Sequence, residues 1–378
     1  MGEEQASAHK QRIARTRSLP AFFLLRRSYK DGAPTERRLR SEIKSSNFMK
    51  QSRRNFLQWL FGLAPVFTGL FGQFRARGQT ISNIPIASEP SRSELTFLIF
   101  GDWGRGGEFH QSDVANQMGL AAAKLGCRFI VSVGDNFYEK GVQSAADPQW
   151  KSSFEAVYRA PSLGVPWYAI LGNHDYKGRP QAQLDYAKTR PNWKMPARYF
   201  SVVEPIGDKE KVEFFFIDTS PFVEEYRNKA DMRDEIISQD TSAQVQWLDH
   251  ALSKSTAAWK IVIGHHPIFS GGSEHGDQPE LIRDINPLLE KHQVPAYFNG
   301  HDHDLQHIVR GSVEYFNTGA GSKVREPGPT EGSRFYRGTP GFMAVTLTAK
   351  QMHVEVIDYT GASLYQTRVQ NRAAVSEA

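Results

Sequence analysis

The chain contains a single cysteine, Cys127. No intramolecular disulfide can form, and no thiolate-based zinc site or iron–sulfur cluster can be assembled. Cys127 follows Gly126 and precedes an apolar run, so it reads as a small buried hydrophobe. Internal repeats and low-complexity blocks are missing, which excludes solenoids and arrays. A dominant charge of one sign is missing too. The formal charge is +5, from 46 Lys and Arg against 41 Asp and Glu. Residues 1–78 hold 16 of the basic and 5 of the acidic side chains, leaving 30 and 36 for the rest. The body is therefore mildly acidic, and a nucleic-acid-binding role is set aside.

Core-forming residues are plentiful. Apolar residues make up 39% of 378, with 24 Phe, 13 Tyr and 7 Trp. That length and composition predict one large folded domain or two modest ones.

The basic N-terminal region reads as an address. Ser52-Arg53-Arg54-Asn55-Phe56-Leu57-Gln58 matches the bacterial twin-arginine export pattern. An uncharged stretch, residues 56–74, follows, and Ala76-Arg77-Gly78 offers a cleavage site, so a mature chain would start near Gln79. The competing interpretation is a retained membrane anchor. Gly62, Pro65, Gly69, Gly72 and two glutamines make that stretch a poor span. The expected layout is a basic extension (1–48), untranslated or disordered; a signal segment (49–78); a linker (79–94); a catalytic domain (95–362); and a C-terminal tail (363–378). The expected location is outside the cytoplasm, in the periplasm or at the cell surface.

Six short apolar runs have strand character: 95–100, 129–133, 167–171, 212–217, 259–263 and 296–298. Helical patterns lie between them, at 112–125, 148–159, 241–254 and 280–292. The first stops at Gly126, a suitable C-cap, and the third begins with Thr241 and Gln244 at capping-box spacing. Strands alternating with helices predict an α/β fold.

Five of the six runs end in a Gly-led polar cluster. These are Gly101-Asp102-Trp103-Gly104, Gly134-Asp135-Asn136-Phe137-Tyr138, Gly172-Asn173-His174-Asp175, Gly264-His265-His266-Pro267 and Gly300-His301-Asp302-His303. Open α/β sheets bind ligands at the carboxyl ends of their strands, so the five clusters are expected to converge. Together they supply Asp102, Asp135, Tyr138, Asn173, His265, His301 and His303. Oxygen and imidazole donors without a thiolate suit Fe, Mn or Zn. Seven donors exceed one tetrahedral site and suit two octahedral metals sharing a carboxylate.

In this order the clusters resemble the metallophosphoesterase superfamily, and Tyr138, three residues after Asp135, resembles the purple acid phosphatases, the small tartrate-resistant form above all. The resemblance spans residues 95–358. It implies a four-layer α/β/β/α sandwich of two mixed sheets. It also implies a cofactor of Fe(III), held by Asp102, Tyr138 and His303, plus a divalent Fe, Zn or Mn, held by Asn173, His265 and His301. Asp135 would bridge. His174 and His275 would contact the phosphate or protonate the leaving group. The two cations carry about +5 and their anionic ligands about −3, so a bridging hydroxide leaves about +1 to attract a phosphate dianion.

The implied activity is acid hydrolysis of phosphate monoesters by a metal-bound hydroxide. The alternatives are a Mn or Zn phosphodiesterase of the same superfamily, and a secreted metal- or phosphate-binding protein without turnover. Expected partners are a small phosphate ester or a phosphoprotein. A monomer is expected, touching a membrane only through a retained N-terminal segment. Asp304 and His266 depart from the family pattern, which puts tuning rather than the donor set in doubt.

Overall fold

A computed structural model describes residues 93–371. The extension, the signal segment and most of the linker lie outside the described residues. Among the described residues, no helix is long and apolar enough to cross a membrane.

Fourteen strands are described: β1 (Leu95–Phe100), β2 (Phe129–Ser132), β3 (Trp167–Ala169), β4 (Trp193–Lys194), β5 (Phe200–Ile206), β6 (Glu210–Phe216), β7 (Trp259–Ile263), β8 (Ala296–Asn299), β9 (Leu305–Arg310), β10 (Val313–Thr318), β11 (Ser333–Arg337), β12 (Gly341–Leu347), β13 (Gln351–Asp358) and β14 (Ser363–Gln370). They form two seven-stranded sheets, ordered β14-β13-β12-β1-β2-β3-β4 and β11-β9-β10-β8-β7-β6-β5. Both are mixed. Strands β1 to β4 run parallel and β12 joins β1 antiparallel. In the second sheet β6, β7, β8 and β10 are parallel, with β5 and β9 antiparallel to their neighbours.

Strand alternation explains the layering. Leu95, Phe97 and Ile99 of β1 join Phe214, Phe216, Ile261, Ile263 and Phe316 in a core between the sheets. Leu98 and Phe100 face the other way, against Val114, Met118 and Ala122 of the helix Gln111–Leu125. Phe215, Val262 and Tyr297 face outward from the second sheet onto Leu248, Leu252, Leu281 and Leu289. Helix, sheet, sheet and helix thus form the expected four layers. The run Phe214-Phe215-Phe216 is divided between two cores by its alternation.

Four local expectations are corrected. Residues 280–292 form two short helices, Pro279–Asp284 and Asn286–Lys291, because Pro287 cannot donate to the preceding turn. Residues 148–159 are helical only as far as Glu155, and the winding is that of a π-helix over Trp150–Glu155. The helix Thr241–Lys254 is capped by Asp240, whose side chain accepts from Ala243 N at 3.0 Å. Gln244 instead exchanges hydrogen bonds with the Asp218 main chain. Finally, the expected tail from 363 is β14, paired antiparallel with β13 and burying Val369 in the inter-sheet core. The folded domain therefore continues past 362.

Candidate metal centre and substrate cleft

The five clusters follow β1, β2, β3, β7 and β8, all at carboxyl ends. Three of their residues have left-handed backbone: Asp102 (φ 61°), Asp135 (φ 50°) and His301 (φ 71°). L residues adopt that region at a cost of about 1 kcal/mol or more, tolerated where a site demands it. Neighbouring glycines permit close approach. A Cβ on Gly172 would collide with Asp135 Oδ1, and one on Gly300 with Asp102 Oδ2.

All seven expected donors come together, in two trios joined by one carboxylate. The Tyr138 hydroxyl lies 2.9 Å from Asp102 Oδ1 and 3.0 Å from His303 Nε2. Asn173 Oδ1 lies 3.2 Å from His265 Nε2 and 2.9 Å from His301 Nδ1. Asp135 reaches both trios, with Oδ2 2.8 Å from the Tyr138 hydroxyl and Oδ1 3.5 Å from His265 Nε2. Of the described residues, Asp102, Asp135 and His265 bring ligand atoms within 4.8 Å of one another.

This donor set fits a cation. The Tyr138 hydroxyl has one proton for two carboxylate oxygens, and buried His303 Nδ1 has no hydrogen-bond partner among the described residues. Desolvation and the Asp135 carboxylate push Asp102 well above the usual carboxylate range. Desolvation pushes Asp135 up as well, but His265, His174 and two hydrogen bonds hold it below that range. Burial lowers the imidazoles of His265 and His301, and lowers His303 to about 3. Neutral imidazoles keep their lone pairs for a metal even in acid.

His266 lies close to His265 and His301, yet both of its nitrogens are engaged. Nδ1 is 2.8 Å from Thr219 Oγ1 and Nε2 is 3.0 Å from the Tyr226 hydroxyl. We therefore leave it out of the donor set. Thr219 Oγ1 also accepts from the main-chain N–H groups of His265 and His266, fixing that strand end. Asp304 is pushed to about 7 by burial and by Asp302. It accepts from Asn317 and Gln306.

Next to the donors lies a cleft of about 580 Å³. His174 enters it from the short helix Asn173–Tyr176. Its Nδ1 donates to Glu139 O at 2.7 Å, leaving Nε2 to accept from Lys177 at 3.3 Å. His275 stacks on His301 with ring centroids 4.0 Å apart. The far wall carries Tyr226, Lys229 and Arg283, and Arg325 closes another side. The connections 177–198, 222–240 and 323–338 send Lys177, Tyr226 and Arg325 into this cleft. They contain the helices Pro180–Thr189 and Arg233–Ile237 and strand β11.

A family model described as calcineurin-like phosphoesterase matches residues 95–305. Purple acid phosphatase 7 of Arabidopsis thaliana is 40% identical over 296 residues, covering 75% of this chain and 88% of that protein. The chain belongs to the purple acid phosphatase family. Human tartrate-resistant acid phosphatase type 5 is 32% identical over 317 residues, covering 77% of this chain and 95% of its own. Two solved structures share the fold. GAP50, the anchor in the inner membrane complex of Plasmodium, superposes with a TM-score of 0.64 at 25% identity, over 74% of this chain and 90% of that one. Purple acid phosphatase PPD1 from yellow lupin seeds gives 0.53 at 15% identity, over 74% and 54%.

For a purple acid phosphatase, the metal-site expectations all fell on strand-end clusters. The residues around the site that no motif marks in the sequence are Arg105, Lys177, Tyr226 and Arg325. Lys177 meets His174 from three residues along the chain, and the others reach the site through tertiary packing.

Proposed function

We propose that this purple acid phosphatase hydrolyses phosphate monoesters in acid at a dinuclear Fe(III)–M(II) centre, with M an Fe, Zn or Mn ion. Asp102, Tyr138 and His303 would hold the ferric ion, Asn173, His265 and His301 the divalent ion, and Asp135 both. The observation that carries this assignment is the sorting of the donors into two trios with Asp135 touching each. When bound, the pair supplies an activated water and positive charge for the phosphoryl oxygens.

The chain's own residues do the rest. Asp135 Oδ1 accepts from the His174 main-chain N–H at 2.7 Å, so the bridging carboxylate and the cleft histidine are placed by one contact. With Nδ1 committed to Glu139 O, His174 presents Nε2 to substrate, and Lys177 adds a cation beside it. His275, 39% exposed at the cleft mouth, is placed to hand a proton to a departing alkoxide. Arg325, paired with Glu274 at 2.8 Å, adds further positive charge.

The test compares turnover of nitrophenyl phosphate and bis(nitrophenyl) phosphate by purified protein of known metal content. A strong preference for the monoester supports the proposal. A preference for the diester moves the chain to the phosphodiesterase branch. Metal binding with turnover of neither leaves a binding protein.

The export pattern at residues 52–58 supports a location outside the cytoplasm, reached by the twin-arginine route. Replacing Arg53-Arg54 with a Lys pair should trap activity in the cytoplasm; unchanged secretion would refute the route. Small phosphate esters or phosphoproteins are the proposed substrates, acted on by a monomer.

A further inference from the structure

Arg105 directly follows the first strand-end cluster, Gly101-Asp102-Trp103-Gly104. Its guanidinium carbon lies 3.7 Å over the centroid of the Tyr138 ring. The side chain is 8% exposed, so the charge is almost wholly withdrawn from water. One nitrogen donates to Glu139 Oε1 at 2.5 Å, while the buried Nε has no hydrogen-bond partner among the described residues. Burying a cation with an unsatisfied N–H is unfavourable, and its compensation has to come from its surroundings. Those surroundings are the face of a tyrosine whose hydroxyl meets two buried carboxylates.

The contact is linked to the cleft as well. The His174 ring also packs on Tyr138, with centroids 4.4 Å apart. Glu139, the ion-pair partner of Arg105, offers its main-chain oxygen to His174 Nδ1. The Tyr138 main-chain N–H donates to Gly104 O at 2.9 Å, so the segments bearing the arginine and the tyrosine are joined through backbone too. Arg105 itself is not among the residues lining the cleft.

We propose that Arg105 is a positioning residue for Tyr138, holding the ring in place and stabilising the electrons of its phenolate. The proposal rests on Tyr138 being the ferric ligand. A cation over an aromatic face is attracted to the ring's negative quadrupole, more strongly once desolvated. An anionic phenolate ring is attracted more strongly still. Lowering the energy of the phenolate electrons raises the energy needed to move one onto iron, so Arg105 holds the tyrosinate-to-iron absorption band at shorter wavelength. Because Arg105 does not line the cleft, its loss should fall on kcat more than on KM.

The test compares visible spectra of the metal-loaded parent with those of Arg105→Met, Arg105→Gln and Arg105→Lys, each normalised to measured iron. Met and Gln remove the charge, and either one alone suffices should the other fail to fold. Both neutral variants should absorb at longer wavelength than the parent, with kcat about tenfold lower and KM little changed. Arg105→Lys keeps the charge and should stay near the parent band. Neutral variants whose band coincides with the parent at equal iron overturn the role of Arg105 alone. A parent that holds iron yet shows no visible band overturns the Tyr138 assignment, and the role of Arg105 with it.

Discussion

Asp135 touches both donor trios, and in the proposed centre it bridges the two metals. One oxygen meets the Tyr138 hydroxyl, and the other meets both His265 and the His174 main chain. Asp135→Asn keeps the shape but removes the charge that joins the trios. It should lose both metals together, with affinity for each falling more than about a hundredfold, since even outlying partners of metal ligands account for ten- to hundredfold. Metal analysis after dialysis reads this; loss of one metal alone would contradict a bridge.

Away from the metals, Asp218 is a second buried charge. Burial pushes it up to about 6, opposed by Arg198, the Tyr176 hydroxyl and the Ser220 N–H. The folded state therefore binds the proton more tightly than an unfolded chain does, with its ordinary value of 3.8. Stability from this group grows as pH falls from about 6 towards 4, and is lost as pH rises through 6. The size is roughly 2–3 kcal/mol, at about 1.4 per pH unit. Asp218→Asn should flatten this dependence. Its melting temperature relative to the parent should be higher at pH 7.5 than at pH 4.5, and a parallel shift at both would refute the assignment.

At the scale of elements, what the sequence made legible was local. Strands β1 and β7 and the helix Thr241–Lys254 have the expected bounds, because their periodicity and stop signals lie within a few residues. Gly126, φ 64°, caps its helix as read, and Gly126→Ala should destabilise the domain by about 1 kcal/mol in chemical denaturation. The cap at Asp240 was misplaced because Thr241 and Gln244 also satisfy the capping spacing. Only the fold shows that Gln244 is drawn away to Asp218. Strand β14 was unreadable for another reason. Its side chains are mostly exposed or half-buried, with Val369 as its buried anchor, so it has the composition of a tail. Truncation after Asp358 should strip β13 of its edge partner and expose an unpaired strand. We expect lower yield and aggregation rather than a merely shortened, equally stable enzyme.

Over the whole molecule, two sheets stack so that five carboxyl ends from both of them meet at one place. The metal site was legible because each donor sits within a few residues of a strand end, and the order of clusters along the chain survives in the fold. The residues around it were not legible. Arg105 and Tyr226 act by stacking or by hydrogen bonds across distances of 33 and 40 residues, and no motif marks either of them. Metals that join ends from both sheets should also brace the sandwich, since any ligand of the folded state stabilises it by mass action. Removing them with a chelator should lower the melting temperature by several degrees, and restoring them should reverse it. An unchanged melting curve would place the metals off the sheet ends.

The proposed dinuclear phosphatase centre depends on Tyr138 as its ferric ligand. Its most direct test is the visible absorption spectrum of the purified, metal-loaded protein beside Tyr138→Phe. A purple or pink band in the parent that disappears in the variant, at matched iron content, is the expected result. A protein that binds two metals without colour, or a variant that keeps the parent's band, would contradict it.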